Sequence, residues 1–118
     1  MYVDVHTLPY FTEHVLRDAA NLIQRSGWTT KAFCRDKSGD PVSTDSSEYG
    51  CSYCASGAIM KAGLAYNLQQ CDCQVIVNYV NNFHDDASLP AYNDHQTSSA
   101  PVVELLFRAA DAYRNFDK

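Results

Sequence analysis

The sequence predicts an α+β fold, a mostly helical single domain with a short antiparallel β-hairpin, packed around a central buried helix. Three observations predict it. The stretch 51–65 contains one charged residue, Lys61, and is apolar on nearly every side at helical spacing, so a helix there has to be buried. Apolar residues also recur at helical spacing before and after this stretch. A turn at residues 37–40 separates two short segments typical of strands. At 118 residues the chain supports one core, and we expect one domain over 1–118.

The first half of the chain predicts one helix and the hairpin. We expect the helix over about 12–26, with Thr12 as its N-terminal cap and an apolar stripe on one face. The hairpin covers about 31–43. Gly39 supplies the positive φ that its turn needs, and Pro41 confines the second strand to an edge of the sheet.

The second half predicts three helices. The central helix covers about 53–66, the next about 72–84 and the C-terminal one about 99–116. Residues 91–98 are polar and predict a loop. The run Val75–Val77 also fits a short buried strand, so a strand remains an alternative to helix there.

Charge and composition restrict the classes of partner. Nine basic residues face fourteen acidic ones, for a net charge of −5, which argues against binding of DNA or RNA polymers. A small anionic ligand remains compatible, because two or three arginines can dominate locally. No apolar run approaches the roughly 20 residues that span a bilayer, and no secretion signal is visible, so we expect a cytoplasmic protein without membrane contact. Five cysteines, an odd number, then predict reduced thiols.

Two pairs of cysteines raise the alternative of a zinc-stabilised interaction module. Cys51-x-x-Cys54 and Cys71-x-Cys73 together could offer four thiolates to one metal ion. The second pair has one intervening residue where zinc sites typically have two to four, and Cys54 continues the apolar stripe of the central helix. We therefore expect no metal and no cofactor, and keep zinc as an alternative.

The sequence favours a binding protein over an enzyme. No cysteine or histidine stands in a local signature of a nucleophile and its base, and no glycine-rich phosphate loop occurs. Three residues suggest a nucleotide pocket: Phe83 as a ring that stacks on a base, Asn93 as an amide for the adenine edge, and Arg108 as a fork for phosphate. The alternative is a core phenylalanine, a turn-capping asparagine and a solvated arginine.

A pattern that runs through nearly the whole chain resembles a small family found in phages and bacteria, most of whose members are of unknown function. Its pieces, in chain order, are Leu16-x-x-Ala19-Ala20-x-Leu22-Ile23, Gly27-Trp28-Thr29, Arg35-Asp36-x-x-Gly39-x-Pro41-Val42, Cys54-x-x-Gly57-Ala58-Ile59-x-x-Ala62, Tyr92-Asn93-Asp94 and Val103-x-Leu105-Leu106-x-Arg108-Ala109-Ala110. The chain departs from the family at Tyr53 and Tyr92, where other members often have tryptophan.

The chain also resembles phage anti-Thoeris sponges of the first-described type. Such sponges bind a cyclic ADP-ribose isomer, the alarm signal of a bacterial defence system, and hold it without cutting it. The resemblance implies a homo-oligomer in the host cytoplasm with pockets between subunits, which bind cyclic ADP-ribose-type nucleotides or cyclic oligonucleotides. It implies Phe83 and Asn93 as adenine contacts and Arg108 as a phosphate contact. We add Asp94 as a further ligand-binding candidate, and Trp28 and Arg35 as candidates that line a pocket from the neighbouring subunit. A phage inhibitor that acts through a protein surface remains a further alternative.

Overall fold

Within the residues that the structure describes, five helices and one two-stranded antiparallel sheet make up the fold, which confirms the predicted fold class. The computed structural model describes residues 11–44, 51–84 and 88–116, with side chains as far as residue 114. In chain order the elements are α1 (Thr12–Ser26), β1 (Cys34–Arg35), β2 (Ser52–Tyr53), α2 (Ala55–Leu64), α3 (Gln70–His84), α4 (Leu89–Asp94) and α5 (Ala100–Phe116). None of the helices in these ranges is both long and apolar enough to cross a bilayer.

Helices α1 and α5 pack antiparallel along their apolar faces. The stripe of α1, which periodicity predicts, is buried, and so is the facing stripe of α5. Arg17 joins the two helices, with its guanidinium 2.9 Å from Glu13 on α1 and 2.8 Å from Asp111 on α5. Exposed ion pairs of this kind contribute at most about 1 kcal/mol, so the apolar burial stabilises the pair. The N-terminal cap is Phe11 rather than the predicted Thr12, which lies buried inside the helix.

Helix α2 lies at the centre, as predicted, and contacts α1, α3, α4 and α5. Its first five residues, Ala55–Ile59, are all buried. Small residues allow this close packing. A Cβ atom on Gly57 would overlap the carbonyl oxygen of Phe33, and one on Gly63 would lie 2.6 Å from the sulfur of Cys73. The two glycines therefore let the β1 segment and α3 approach α2 directly.

The antiparallel strand pair forms with a different partner from the predicted one. β1 pairs with β2, so that Cys34 lies opposite Tyr53, and the predicted second strand near Pro41 contributes only an isolated bridge to Arg35. The predicted turn does form, with Gly39 at φ +88°. Proline lacks the N–H that would continue a ladder. β2 is also held on its far side, where the N–H of Tyr53 donates to the oxygen of Gly27 at 3.0 Å.

For two further segments, the structure decides between two predicted alternatives or differs from the prediction. Residues 75–77 are helical within α3, so the strand alternative does not apply. Part of the predicted loop 91–98 belongs to α4, a six-residue helix that begins with Leu89 and Pro90. Proline fits the first turn of a helix, and the Ser88 hydroxyl accepts a hydrogen bond from the N–H of Ala91 at 3.4 Å. This short helix positions the candidate site.

Tyr79 makes the packing of α3 on α5 dependent on pH. Its side chain is 4% exposed and its hydroxyl donates to the carbonyl oxygen of Ala109 at 2.8 Å. Burial raises the pKa of Tyr79 to about 12. Since an unfolded tyrosine has a pKa of about 10, the stability linked to this proton is complete below that pH and is lost as the pH rises towards 12.

We expect urea unfolding of the wild type to show a steeper loss of stability above about pH 10 than Tyr79→Phe shows. At neutral pH the substitution should cost about 1 kcal/mol, the contribution of one hydrogen bond. If the free energy of unfolding of both proteins fell equally steeply with pH above about 10, the raised pKa of Tyr79 would be contradicted. Tyr53→Phe changes another buried tyrosine and serves as the matched control for stability at neutral pH.

Candidate functional site

Asn93 joins three segments of the chain through its side-chain amide. The residue belongs to α4 and is fully buried. Its oxygen accepts hydrogen bonds from the indole nitrogen of Trp28 and from the N–H of Ala55, both at 2.9 Å. Its nitrogen donates to the oxygen of Thr29 at 3.1 Å and to the carboxylate of Asp94 at 3.3 Å. Because an amide offers two donor hydrogens and two acceptor lone pairs, this side chain is fully hydrogen-bonded.

Asp94 fixes the loop that follows Trp28. Its carboxylate accepts a hydrogen bond from the backbone N–H of Lys31 at 2.9 Å. Lys31 has a φ of +63°, in the left-handed region that few residues other than glycine adopt. The hydrogen bond to Asp94 helps to hold this conformation, and the lysine side chain is exposed.

Arg35 braces the same loop from the other side. Its Nε donates to the hydroxyl of Thr29 at 2.9 Å, and one terminal nitrogen donates to the oxygen of Thr30 at 3.1 Å. The other terminal nitrogen donates to the oxygen of Gly39 at 3.0 Å, in the turn before Pro41. The guanidinium, a planar group with several donors in a fixed geometry, therefore links the loop to the turn through hydrogen bonds.

A pocket of about 500 Å³ opens beside this loop, and we call it the loop pocket. Such a volume lies within the range of small-molecule sites. Three groups in its wall can bind a ligand: the ammonium of Lys31, the carboxylate of Asp94 and the ring of Phe33, which is 50% exposed. The remaining wall is apolar or carries thiols: Ala32, Cys34, Pro41, Val42, Cys54 and Pro90.

The two thiols of the loop pocket are packing groups. Burial raises the pKa of Cys34 and of Cys54, so both stay protonated at neutral pH. The sulfur of Cys34 donates to the oxygen of Val42 at 3.1 Å, and that of Cys54 accepts from the N–H of Gly57 at 3.3 Å. A protonated, buried thiol is a poor nucleophile.

Phe83 and Arg108 form a separate pair between α3 and α5. The guanidinium carbon of Arg108 lies 5.8 Å from the centre of the Phe83 ring, within the range of a cation–π contact. Neither residue is among those that line the loop pocket. Within one protomer, the structure brings Trp28, Arg35, Asn93 and Asp94 together and places the other two predicted residues elsewhere. Since the Asn93 amide is already bonded to the chain, it has no group to offer an adenine.

The cysteine pairs do not come together as zinc ligands. Cys54 caps the start of α2, whereas Cys73 packs against Gly63 near its end. At the helical rise these two points of α2 lie roughly 13 Å apart. Throughout 11–44, 51–84 and 88–116, no three or more metal-binding side chains cluster around a common point. The alternative of a tetrahedral zinc module therefore has no support in this arrangement.

The family DUF6197, described as a family of unknown function, matches residues 11–112. The chain belongs to this family. The matched residues include α1 to α4, the residues that line the loop pocket and every residue bonded to Asn93. No curated protein and no solved structure matches the chain.

Sequence reasoning missed two residues of this DUF6197 site, Lys31 and Phe33. Lysine carries no preference for the left-handed conformation, so nothing local marked Lys31 as the point where the loop turns. Phe33 fell inside the predicted hairpin, where an aromatic residue is common. One feature of the sequence could have pointed to these two residues: both lie between the Gly27-Trp28-Thr29 motif and the Arg35-Asp36 motif.

Proposed function

We propose that this DUF6197 protein binds and sequesters a cyclic ADP-ribose-type signalling nucleotide, without cleaving it, in the loop pocket. One observation supports the proposal most directly. A cation, a half-exposed aromatic ring and a carboxylate line one pocket of about 500 Å³, and Asn93 is hydrogen-bonded to Thr29 at the start of the loop that carries the cation and the ring. The ligand class is the one implied by the resemblance to anti-Thoeris sponges, and it extends to cyclic oligonucleotides.

Each group in the pocket has a matching group on such a ligand. The ring of Phe33 offers a face on which a base can stack. The ammonium of Lys31 is suited to a phosphate oxygen, and the carboxylate of Asp94 to ribose hydroxyls, which donate hydrogen bonds. A cyclic ADP-ribose-type nucleotide contains all three groups: a base, phosphates and ribose hydroxyls.

The proposed homo-oligomer supplies the second cation. A single lysine balances only part of the charge of a ligand with two phosphates. Arg108 is exposed and lies over Phe83, away from the loop pocket of its own protomer. In this proposal that pair faces the loop pocket of a neighbouring copy and completes a site between subunits. A buried, shared pocket favours slow release, which sequestration requires.

Sequestration fits the chemistry of the wall better than turnover does. The thiols of Cys34 and Cys54 are protonated, and the carboxylate of Asp94 accepts hydrogen bonds from Lys31 and Asn93. These groups hold the loop and leave no activated nucleophile among them. We place the protein in the host cytoplasm, where a phage would use it to suppress Thoeris-type immunity.

Thermal unfolding in the presence of cyclic ADP-ribose isomers tests the proposal. A ligand at about 100 times Kd should raise the free energy of unfolding by about 2.7 kcal/mol. Lys31→Met should weaken binding by about tenfold or more, because a charge-assisted hydrogen bond is lost. Lys37→Met removes the same charge from the exposed turn outside the pocket and should leave binding unchanged. No shift with any isomer, or equal weakening in both variants, would contradict the proposal.

Mass spectrometry of ligand released by heat separates a sponge from an enzyme. The protein is incubated with the isomer that stabilises it, washed and denatured. Recovery of the intact compound supports sequestration, whereas recovery of an opened or hydrolysed product would assign an enzyme.

A further inference from the structure

A second pocket lies between the C-terminal halves of α1 and α2, and we call it the α1–α2 groove. Its volume is about 400 Å³, and it has no lining residue in common with the loop pocket. Two cations line it, Arg25 from the last turn of α1 and Lys61 from the last turn of α2. The groove is not used by the function proposed above.

The two cations have no carboxylate partner within the described part of the chain. No hydrogen bond or ion pair joins Arg25 or Lys61 to another residue of 11–44, 51–84 or 88–116. Arg17, on the same helix as Arg25, contacts carboxylates on both α1 and α5. In a chain with fourteen acidic and nine basic residues, two neighbouring cations left in this way form a local positive site.

The rest of the groove suits a small ligand with an organic skeleton. Leu22 and Ala62 provide an apolar floor, which is open because the alanine side chain is small. Asn21 is exposed at the rim and can donate to a ligand oxygen. Among the described residues that line the groove, Asp18 contributes a carboxylate, and its Oδ2 accepts a hydrogen bond from the hydroxyl of Tyr66 at 2.6 Å. Its other oxygen can accept from a ligand hydroxyl.

We propose that the α1–α2 groove binds a small phosphorylated ligand that carries hydroxyl groups, such as a sugar phosphate or a mononucleotide. The guanidinium of Arg25 binds two phosphate oxygens as a planar fork, and the ammonium of Lys61 binds a third. The carbon skeleton lies on Leu22 and Ala62. The volume of about 400 Å³ accommodates a ligand of this size.

Titration of the full-length, isotope-labelled protein with adenosine 5′-monophosphate and with pyrophosphate, followed by amide chemical shifts, tests this site. We expect saturable shifts concentrated in residues 18–25 and 61–65. Arg25→Gln and Lys61→Gln should each weaken binding about tenfold or more, since each removes a charge-assisted hydrogen bond. Tighter binding of the nucleotide than of pyrophosphate would show that the apolar floor of Leu22 and Ala62 contributes to the affinity.

Two controls keep the inference falsifiable. Lys37→Gln removes one positive charge from the exposed turn and should leave the affinity for the probe unchanged. If it weakened binding as much as Arg25→Gln and Lys61→Gln do, the effect would come from net charge and the proposed site would be wrong. Lys31→Met alters the loop pocket alone. If that variant loses the shifts while Arg25→Gln keeps them, the phosphate binds in the loop pocket and the groove is not a site. Absence of saturable shifts at millimolar probe would overturn it as well.

Discussion

Asn93→Ala is expected to lower the free energy of unfolding by about 3–5 kcal/mol, one of the largest effects available in this chain. The substitution removes four hydrogen bonds at once. It leaves the buried N–H of Ala55 without its partner, together with the part-buried indole N–H of Trp28 and the part-buried oxygen of Thr29. Each buried group left unpaired costs about 1–3 kcal/mol, and the vacated volume adds to that.

Urea unfolding at neutral pH measures this effect, with Gln96→Ala as the matched control. Gln96 follows α4 and donates one hydrogen bond, to the oxygen of Tyr92 at 3.0 Å, so its loss should cost about 1 kcal/mol or less. Asn93→Asp keeps the acceptor but loses both donors, and should be nearly as destabilising. If Asn93→Ala were stable but unable to bind nucleotide, the amide would be a ligand contact, as the sequence predicts, and the role described here would be wrong.

Gly57→Ala is expected to destabilise the protein by about 3 kcal/mol or more, although the same change in an exposed helix would stabilise it by about 1 kcal/mol. The added methyl group would overlap the carbonyl oxygen of Phe33 and lie 2.6 Å from its carbonyl carbon. These are backbone atoms, and that oxygen also accepts a hydrogen bond from the N–H of Cys54 at 3.0 Å. Neither the buried helix nor the loop can move without loss of other contacts.

Gly63→Ala provides the comparison for this prediction. Its new methyl group would meet the sulfur of Cys73 at 2.6 Å, which belongs to a side chain rather than to backbone. We therefore expect a smaller loss of stability in the same thermal and urea measurements. Because Phe33 lines the loop pocket, Gly57→Ala should also reduce nucleotide binding. A Gly57→Ala protein as stable as the wild type would show that the loop lies farther from α2 than this structure places it.

Helical periodicity predicted most of the fold because it is a local property. The stripe of α1 and the all-round apolar character of α2 follow from side chains three and four residues apart, and each identifies the buried face without knowledge of the partner. The partner of β1 was not predictable in this way. A strand of two residues has no period, and its partner β2 lies between β1 and Gly27, a tertiary arrangement that periodicity does not report.

Of the six residues that the sequence predicted, Asp94 lines the loop pocket, whereas Lys31 and Phe33 were not predicted. The role of Asn93 was not predictable either, because whether an amide faces a ligand or the protein depends on which backbone groups the fold brings near it. Here the N–H of Ala55 lies within reach, and the protein itself occupies the amide. Lys31 could not be recognised for a different reason: lysine has no local preference for a φ of +63°, and the hydrogen bond that helps to hold this conformation is made with Asp94, which is distant in sequence.

The antiparallel pairing of α1 with α5 also has a consequence for biosynthesis. Arg17 and Asp111 meet although 94 positions separate them along the polypeptide. During translation the first helix emerges long before its counterpart exists, so its apolar stripe is presented to chaperones and to other nascent chains. The pair can close only after the intervening residues have been synthesised, and its long sequence separation makes it slower to form than contacts between sequential neighbours.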